Sequence, residues 1–237
     1  QAYFAYDSKK SGGITMSHLR FGKLPITSPY LINRADFISC SQQSYVYNYD
    51  LLAGLRKGGK FLLNTVWSDE ELTKHLPAYM KRYIAKNEIE FYTVNAVKIA
   101  QELGLGGRFN MVMQAGFFKL ADIIPIDKAV DLLKDSIVKA YGKKGQNIVD
   151  MNNGAVDQGV EALHKVEVPA SWAEAQDEAE VKRDEPAFIT EIQRVMNRQE
   201  GDKLPVSTFV DIADGTFPSG TAAYEKRGVA VSVPEWD

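Results

Sequence analysis

The chain contains one cysteine, Cys40, and three histidines far apart in sequence, His18, His75 and His164. A single thiol excludes an internal disulfide framework, and equally an iron–sulfur cluster or Cys-rich zinc site built from this chain alone. No apolar run approaches the roughly 20 residues that a membrane-spanning helix requires. The amino end lacks a signal-peptide pattern, so a cytoplasmic location is expected. Lysines and arginines are not clustered among aromatics, which argues against nucleic-acid binding. A Walker A loop is missing too, since no glycine run is followed by Lys and Ser or Thr in the required spacing.

What is present suits an ordinary globular protein: 237 residues, 45% hydrophobic and 25% charged. That length allows one large domain, or one domain with a sizeable extension. The net charge of −3 hides an asymmetry: residues 1–150 hold 20 basic and 14 acidic side chains, whereas residues 151–237 hold 8 and 17. A basic body with an acidic tail suits an anionic ligand on the body, although plain solvation gives a similar split.

QAYFAYD alternates like a strand from its first residue. Domains rarely begin inside a strand, so the segment reads as part of a longer polypeptide. ITMSHLRFG and ADFISC read as further strands, and SYVYNYDLLAGLR as a helix carrying Tyr45, Tyr49, Leu52 and Leu55, ended by Gly58 and Gly59. KFLLNT and EFYTV are strands; PAYMKRYIAKN, VNAVKIAQEL and IDKAVDLLKDSIVKAYG are helices. FNMVMQAGFFKLAD is apolar all round and is expected to be the most buried helix. NIVDMNNGAVDQGVEALHKV, being more polar, is expected at the periphery. Strands alternating with helices predict an α/β fold: a doubly wound, mostly parallel sheet with helices on both faces, over residues 1–167. Residues 168–237 are rich in charge, Gly and Pro, and are expected to form an acidic linker and extended C-terminal arm.

Parallel sheets bind ligands at the carboxyl ends of their strands. The segments after the strands hold Ser41, Gln42 and Gln43, then Asn64, Thr65, Trp67 and Ser68, then Asn95, with no catalytic acid–base pair among them. Two loops stand out. In SKKSGG, Lys9 and Lys10 supply charge, and Ser11, Gly12 and Gly13 a hydroxyl and close-approaching amides; the same residues also suit a solvated hairpin turn. In GLGGRFN, Gly106 and Gly107 precede Arg108 and Asn110, a guanidinium fork and an amide at the mouth of an apolar helix; Gly104 also suits a helix C-cap. The histidines read as structural or solvent-facing, Cys40 as a small buried hydrophobe, and Asp69, Glu70 and Glu71 as the first turn of a helix capped by Ser68.

QAYFAYDSKKSGGITMSHLRFG, LGLGGRFNMVMQAGFFKLADIIP and DLLKDSIVKAYGKKG, in that order, resemble the gamma-type domain of the pyruvate:ferredoxin (flavodoxin) oxidoreductase family. The tail GDKLPVS…DGTFPSGTAAYEKRGVAVSVPEW resembles the family's EKR segment, which leads into a ferredoxin-like domain. The resemblance implies oxidative decarboxylation of pyruvate with coenzyme A to acetyl-CoA and CO₂, and reduction of ferredoxin or flavodoxin, by a full-length, homodimeric enzyme. It implies thiamine diphosphate and [4Fe–4S] clusters on other domains of the same enzyme, with coenzyme A docking on this one. The family's domain starts with a strand and a Gly-rich loop upstream of QAYF, and its ferredoxin-like cysteines follow VPEWD; neither is in this sequence. An isolated, inactive internal fragment is therefore expected. The competing expectation is a purely structural interaction domain that positions the thiamine diphosphate and iron–sulfur domains.

Overall fold

The computed structural model describes residues 1–7, 12–177, 184–225 and 234–235. The chain forms two compact units, residues 33–179 and residues 1–32 with 180–237. These units cross the boundary read from composition at residue 167.

The larger unit is built on a four-stranded sheet in the order β3 (Ala35–Cys40), β4 (Leu55–Asn64), β5 (Glu90–Val94), β6 (His164–Lys165). The first three strands are parallel and β6 closes the edge antiparallel to β5. Alternation along β4 divides the interior: Phe61 and Leu63 enter one apolar layer and Leu62 the other. Burial on both faces is the environment of a parallel strand covered by helices on each side.

On the Phe61 face lie α1 (Tyr45–Asn48), α2 (Asp69–His75) and α3 (Ala78–Lys86). Met80 and Ile84, one turn apart on α3, are fully buried. Phe61 stacks on Phe91 across the β4–β5 pair at 5.3 Å between ring centroids. The Leu62 face carries α4 (Ala96–Glu102), α5 (Asn110–Ala121), α6 (Ile126–Tyr141) and α7 (Gln146–Glu161). As expected from its composition, α5 is central, with Met111, Val112, Met113, Ala115 and Leu120 buried.

Several expectations need correction. The helix at Tyr45 stops at Asn48, and Leu55 opens β4, so Gly58 and Gly59 lie inside a strand. Local pairing explains it: Gly58 N–H donates to Asn87 O at 2.8 Å, while Arg56 and Lys57 pair with Asp36 and Glu88. Nor is α7 peripheral. A Cβ on Gly159 would stand 2.7 Å from Val112 O, so the bare backbone lets α7 lie directly on α5. The end of that segment is not helix either: His164 and Lys165 form β6.

Part of the expected arm belongs to the larger unit. Residues 170–174 form a short 3₁₀ turn on α3, and Trp172 is 2% exposed, 6.4 Å from the Phe91 ring. Arg82 of α3 fastens the following residues, donating to Ala175 O at 2.6 Å and pairing with Asp177 at 2.8 Å.

The smaller unit contains β1 (Ala2–Tyr6) and β2 (Thr15–Leu19), paired antiparallel as a ribbon of their own. They are therefore not strands of the parallel sheet. This unit also holds a one-and-a-half-turn π-helical segment, Phe188–Gln193, continuing into α8 (Arg194–Asn197), and short 3₁₀ turns. Arg194 and Glu185 form its best-shielded ion pair.

Candidate functional site

At the carboxyl ends of the parallel strands the chain leaves in two directions. From β4 it turns through Thr65–Ser68 to α2 and α3 on the Phe61 face; from β5 it turns through Asn95 to α4 and α5 on the Leu62 face. Diverging connections open a crevice between neighbouring strand ends, the usual ligand position in open α/β sheets. A cleft of about 620 Å³ lies there, with Thr65, Trp67, Thr93, Asn95 and His164 among its lining residues.

Side chains hold this edge in one conformation. Asn64, 5% exposed, donates to Ser41 O at 3.0 Å and accepts from Ala96 N–H at 2.9 Å, tying all three strand exits together. Gln43 Oε1 accepts from Thr65 Oγ1 at 2.5 Å and from Val66 N–H at 3.0 Å. Thr65 Oγ1 in turn accepts from Trp67 N–H at 3.1 Å, and the indole stacks on His75. His164 Nε2 lies 2.9 Å and 3.1 Å from the two Asp69 oxygens, joining β6 to the first turn of α2 at the cleft.

Of the helices that follow the strand ends at this edge, α2 and α4 have their first turns closed by side chains, whereas the single-turn α1 and the longer α5 do not. Ser68 and Glu71 close α2 with a reciprocal capping box, and Asp69, Glu70 and Glu71 make its start acidic. Asn95 Oδ1 caps α4 by accepting from Lys98 N–H at 3.0 Å. No side chain caps α5. Its direction follows from two contacts: Lys60, first in the β4–β5 ladder, donates to Leu120 O, and Leu62 touches Gly116. Helix α5 thus runs antiparallel to the strands and presents its amino end at their carboxyl ends.

The preceding loop delivers Gly106, Gly107, Arg108 and Asn110 to that end. Gly106 has φ +62°, and neither it nor Gly107 has an atom within 4 Å of a Cβ position, so the backbone there is open. Arg108 and Asn110 are exposed, and no described residue pairs with either side chain. Open amides, a positive helix end and an uncommitted guanidinium together suit an anion.

The other expected residues lie elsewhere. Lys9, Lys10 and Ser11 fall outside the described residues. Gly12 (φ +72°) and Gly13 belong to the connection between β1 and β2, closed by Asp7 N–H donating to Ile14 O at 2.9 Å. The premise that this loop follows a strand of the parallel sheet is overturned, because among the described residues β1 pairs with β2 and with no strand of the four-stranded sheet. Gln43, expected at this edge, and His164, not expected there, carry much of the edge geometry. His164 was missed because β6, two residues long, is too short to leave a pattern.

Cys40 is buried at the end of β3, and burial pushes its thiol up to about 11, which removes it as a nucleophile. Among the described residues, no group of three His, Cys, Asp or Glu side chains could hold a metal ion, and no helix is long and apolar enough to cross a membrane.

The pyruvate ferredoxin/flavodoxin oxidoreductase family model matches residues 1–162. The chain belongs to that family. A second model, EKR, described as a domain of unknown function, matches residues 174–230. The chain is 67% identical over 236 residues to a pyruvate-flavodoxin oxidoreductase of Enterobacter agglomerans, and 62% identical over 237 to one of Klebsiella pneumoniae. It is 57% identical over 237 residues to the pyruvate:ferredoxin oxidoreductase of Moorella thermoacetica. All of this chain is covered in each case, but it spans only 20% of those relatives. Among solved structures, subunit PORC of the Thermotoga maritima pyruvate oxidoreductase shares the fold, with a TM-score of 0.52 and 19% identity, covering 70% of this chain and 81% of that one.

Proposed function

We propose that this chain is the coenzyme-A-docking part of an enzyme that oxidatively decarboxylates pyruvate to acetyl-CoA and CO₂, passing electrons to ferredoxin or flavodoxin. The supporting observation is the uncapped start of α5 with Arg108 beside it, without a side-chain partner among the described residues, at an edge where α2 and α4 are capped by their own side chains. Coenzyme A carries phosphates that would use Gly106 and Gly107 amides, the Arg108 guanidinium and the Asn110 amide as donors. The acidic first turn of α2 directs those phosphates towards α5 and away from Asp69 and Glu70. The turn residues Lys9, Lys10, Ser11, Gly12 and Gly13 are proposed as separate phosphate contacts, since two ammonium groups beside glycines suit the same chemistry.

The family implies thiamine diphosphate and [4Fe–4S] clusters in the full enzyme, and a cluster does not fit this chain. One buried thiol cannot replace the four thiolates of a cluster. In this reading both groups belong to other domains of a cytoplasmic, homodimeric enzyme, with residues 1–167 as the gamma-type module and residues 168–237 leading to the ferredoxin-like domain.

The test is steady-state kinetics of full-length Arg108→Ala with coenzyme A varied. An exposed cation on a phosphate contributes about 1 kcal/mol, so the apparent KM for coenzyme A should rise roughly fivefold to tenfold with the pyruvate KM unchanged. A Lys9→Ala/Lys10→Ala double variant tests the turn independently. Unchanged coenzyme A dependence in both variants would exclude these phosphate contacts.

A further inference from the structure

Between β2 and β3 the chain runs through residues 20–34 without a helix or strand. Among the described residues, positions 22–32 take part in no backbone–backbone hydrogen bond. A stretch without such bonds depends on side chains to hold it in place. Gln1 Nε2 donates to Ser28 O at 2.7 Å, and the Arg20 guanidinium lies 4.9 Å from the centre of the Tyr30 ring. The Ile32 N–H donates to Nδ1 of His18, on β2, at 3.1 Å. Ile32 is also the last residue of the smaller unit before the chain enters the larger one at Asn33.

The His18 tie differs from the others in kind. A backbone N–H can only donate, so Nδ1 must offer a bare lone pair, and the ring is the neutral tautomer with its proton on Nε2. Nε2 is buried and has no hydrogen-bond partner among the described residues. An imidazolium carries protons on both nitrogens. Protonation would therefore set Nδ1–H against the Ile32 N–H, two donors with no acceptor between them, and would leave a charge around a buried nitrogen. The bond and the second proton exclude each other. The titratable and charged groups on the elements that meet at His18 are Tyr3, opposite it on β1, Tyr6 further along β1, and Arg20, Lys23 and Tyr30 of the connection. Neither the two strands nor residues 20–32 carry a carboxylate that would favour an imidazolium. The carboxylate nearest in sequence, Asp7, lies at the other end of the ribbon beside Gly13.

We propose that His18 is a proton-released clasp: the neutral imidazole fastens residue 32, and with it the connection at the boundary of the two units, and acid lets it go. The sign follows from where the proton can sit. The closed form excludes it from Nδ1 and the open form admits it, so closure is at full strength at high pH and is lost as pH falls through the range in which a free imidazole takes up a proton. The proposal is independent of where coenzyme A binds.

The experiment is hydrogen–deuterium exchange of the full-length enzyme, read by mass spectrometry on peptides containing Ile32, between about pH 8 and about pH 5.5, with labelling times scaled to the intrinsic exchange rate. The expected result is protection at pH 8 that falls by up to about tenfold per pH unit at the acid end, while peptides of β4 and β5 stay protected throughout. His18→Asn keeps an acceptor oxygen near the position of Nδ1 but takes up no proton, and should hold its protection at every pH. His18→Ala should lack it at every pH. Protection of the unsubstituted enzyme that is independent of pH would overturn the proposal, and so would an unaltered pH dependence in His18→Asn. The series on the unsubstituted enzyme requires no variant to fold.

Discussion

The side chain of Asn64 accepts a hydrogen bond from the backbone N–H of Ala96 at 2.9 Å, across the gap between the end of β4 and the start of α4. The same amide donates to Ser41 O at 3.0 Å, so one side chain satisfies two backbone groups from two other strand exits. Buried backbone groups without partners are costly, which makes Asn64 a structural pin of the carboxyl edge.

Asn64→Ala is therefore expected to destabilise the larger unit by about 2 kcal/mol or more, from the two orphaned groups together. Urea denaturation followed by tyrosine and tryptophan fluorescence would show it. A shift below roughly 0.5 kcal/mol would mean water replaces the amide and the pin is dispensable.

Trp172 tests where the larger unit ends. Its indole is buried against Phe91, in a stretch whose composition reads as linker. Trp172→Ala is expected to cost about 3–5 kcal/mol, as for any large core aromatic. Truncation before residue 168 should do the same, and a truncated protein of undiminished stability would show the packing to be incidental.

Gly159→Ala should separate α5 from α7. The added methyl meets Val112 O at 2.7 Å and the Val112 Cα at 2.9 Å, both backbone atoms that cannot rotate away. Overpacking of this kind costs about 1–3 kcal/mol. The melting temperature reports it, and a variant as stable as the parent would rule out such close helix contact.

Cys40 gives a prediction with a pH dependence. With the thiol pushed up to about 11 by burial, roughly one molecule in a thousand carries a thiolate at pH 8. Maleimide should label the native protein slowly, faster by about tenfold per pH unit up to that value, and quickly once denatured. Rapid native labelling at pH 7 would place Cys40 at the surface.

Much of this fold was legible in short stretches. EFYTV marks β5 to the residue, and the spacing of Ile126, Val130, Leu133 and Ile137 marks α6. The partner of a strand was not legible. Period-two alternation in QAYFAYD announces an extended segment, but it is equally compatible with a parallel sheet and with a ribbon, and the pairing of Tyr6 with Thr15 decides between them. Leu55 fitted the helical spacing of Tyr45 and Leu52 yet opens β4, because contacts with Asn87 and Glu88 outweigh local propensity. At the candidate site, Asn64, Thr65, Asn95 and Arg108 could be located from the order of strands and loops. The pairing of His164 with Asp69, 95 residues apart, could not.

Lys60 lies 2.8 Å from Leu120 O, at the far end of α5 from Arg108. An ammonium there compensates the negative pole of the helix and leaves the positive pole without a counter-charge. Twelve residues of helix separate the poles by roughly 18 Å, about twice the Debye length at physiological ionic strength. The two ends are consequently electrically independent in the cell. Substituting Lys60 would alter how firmly α5 is seated on the sheet while leaving anion affinity at the Arg108 end almost untouched, so helix stability and ligand charge recognition can change separately in this family.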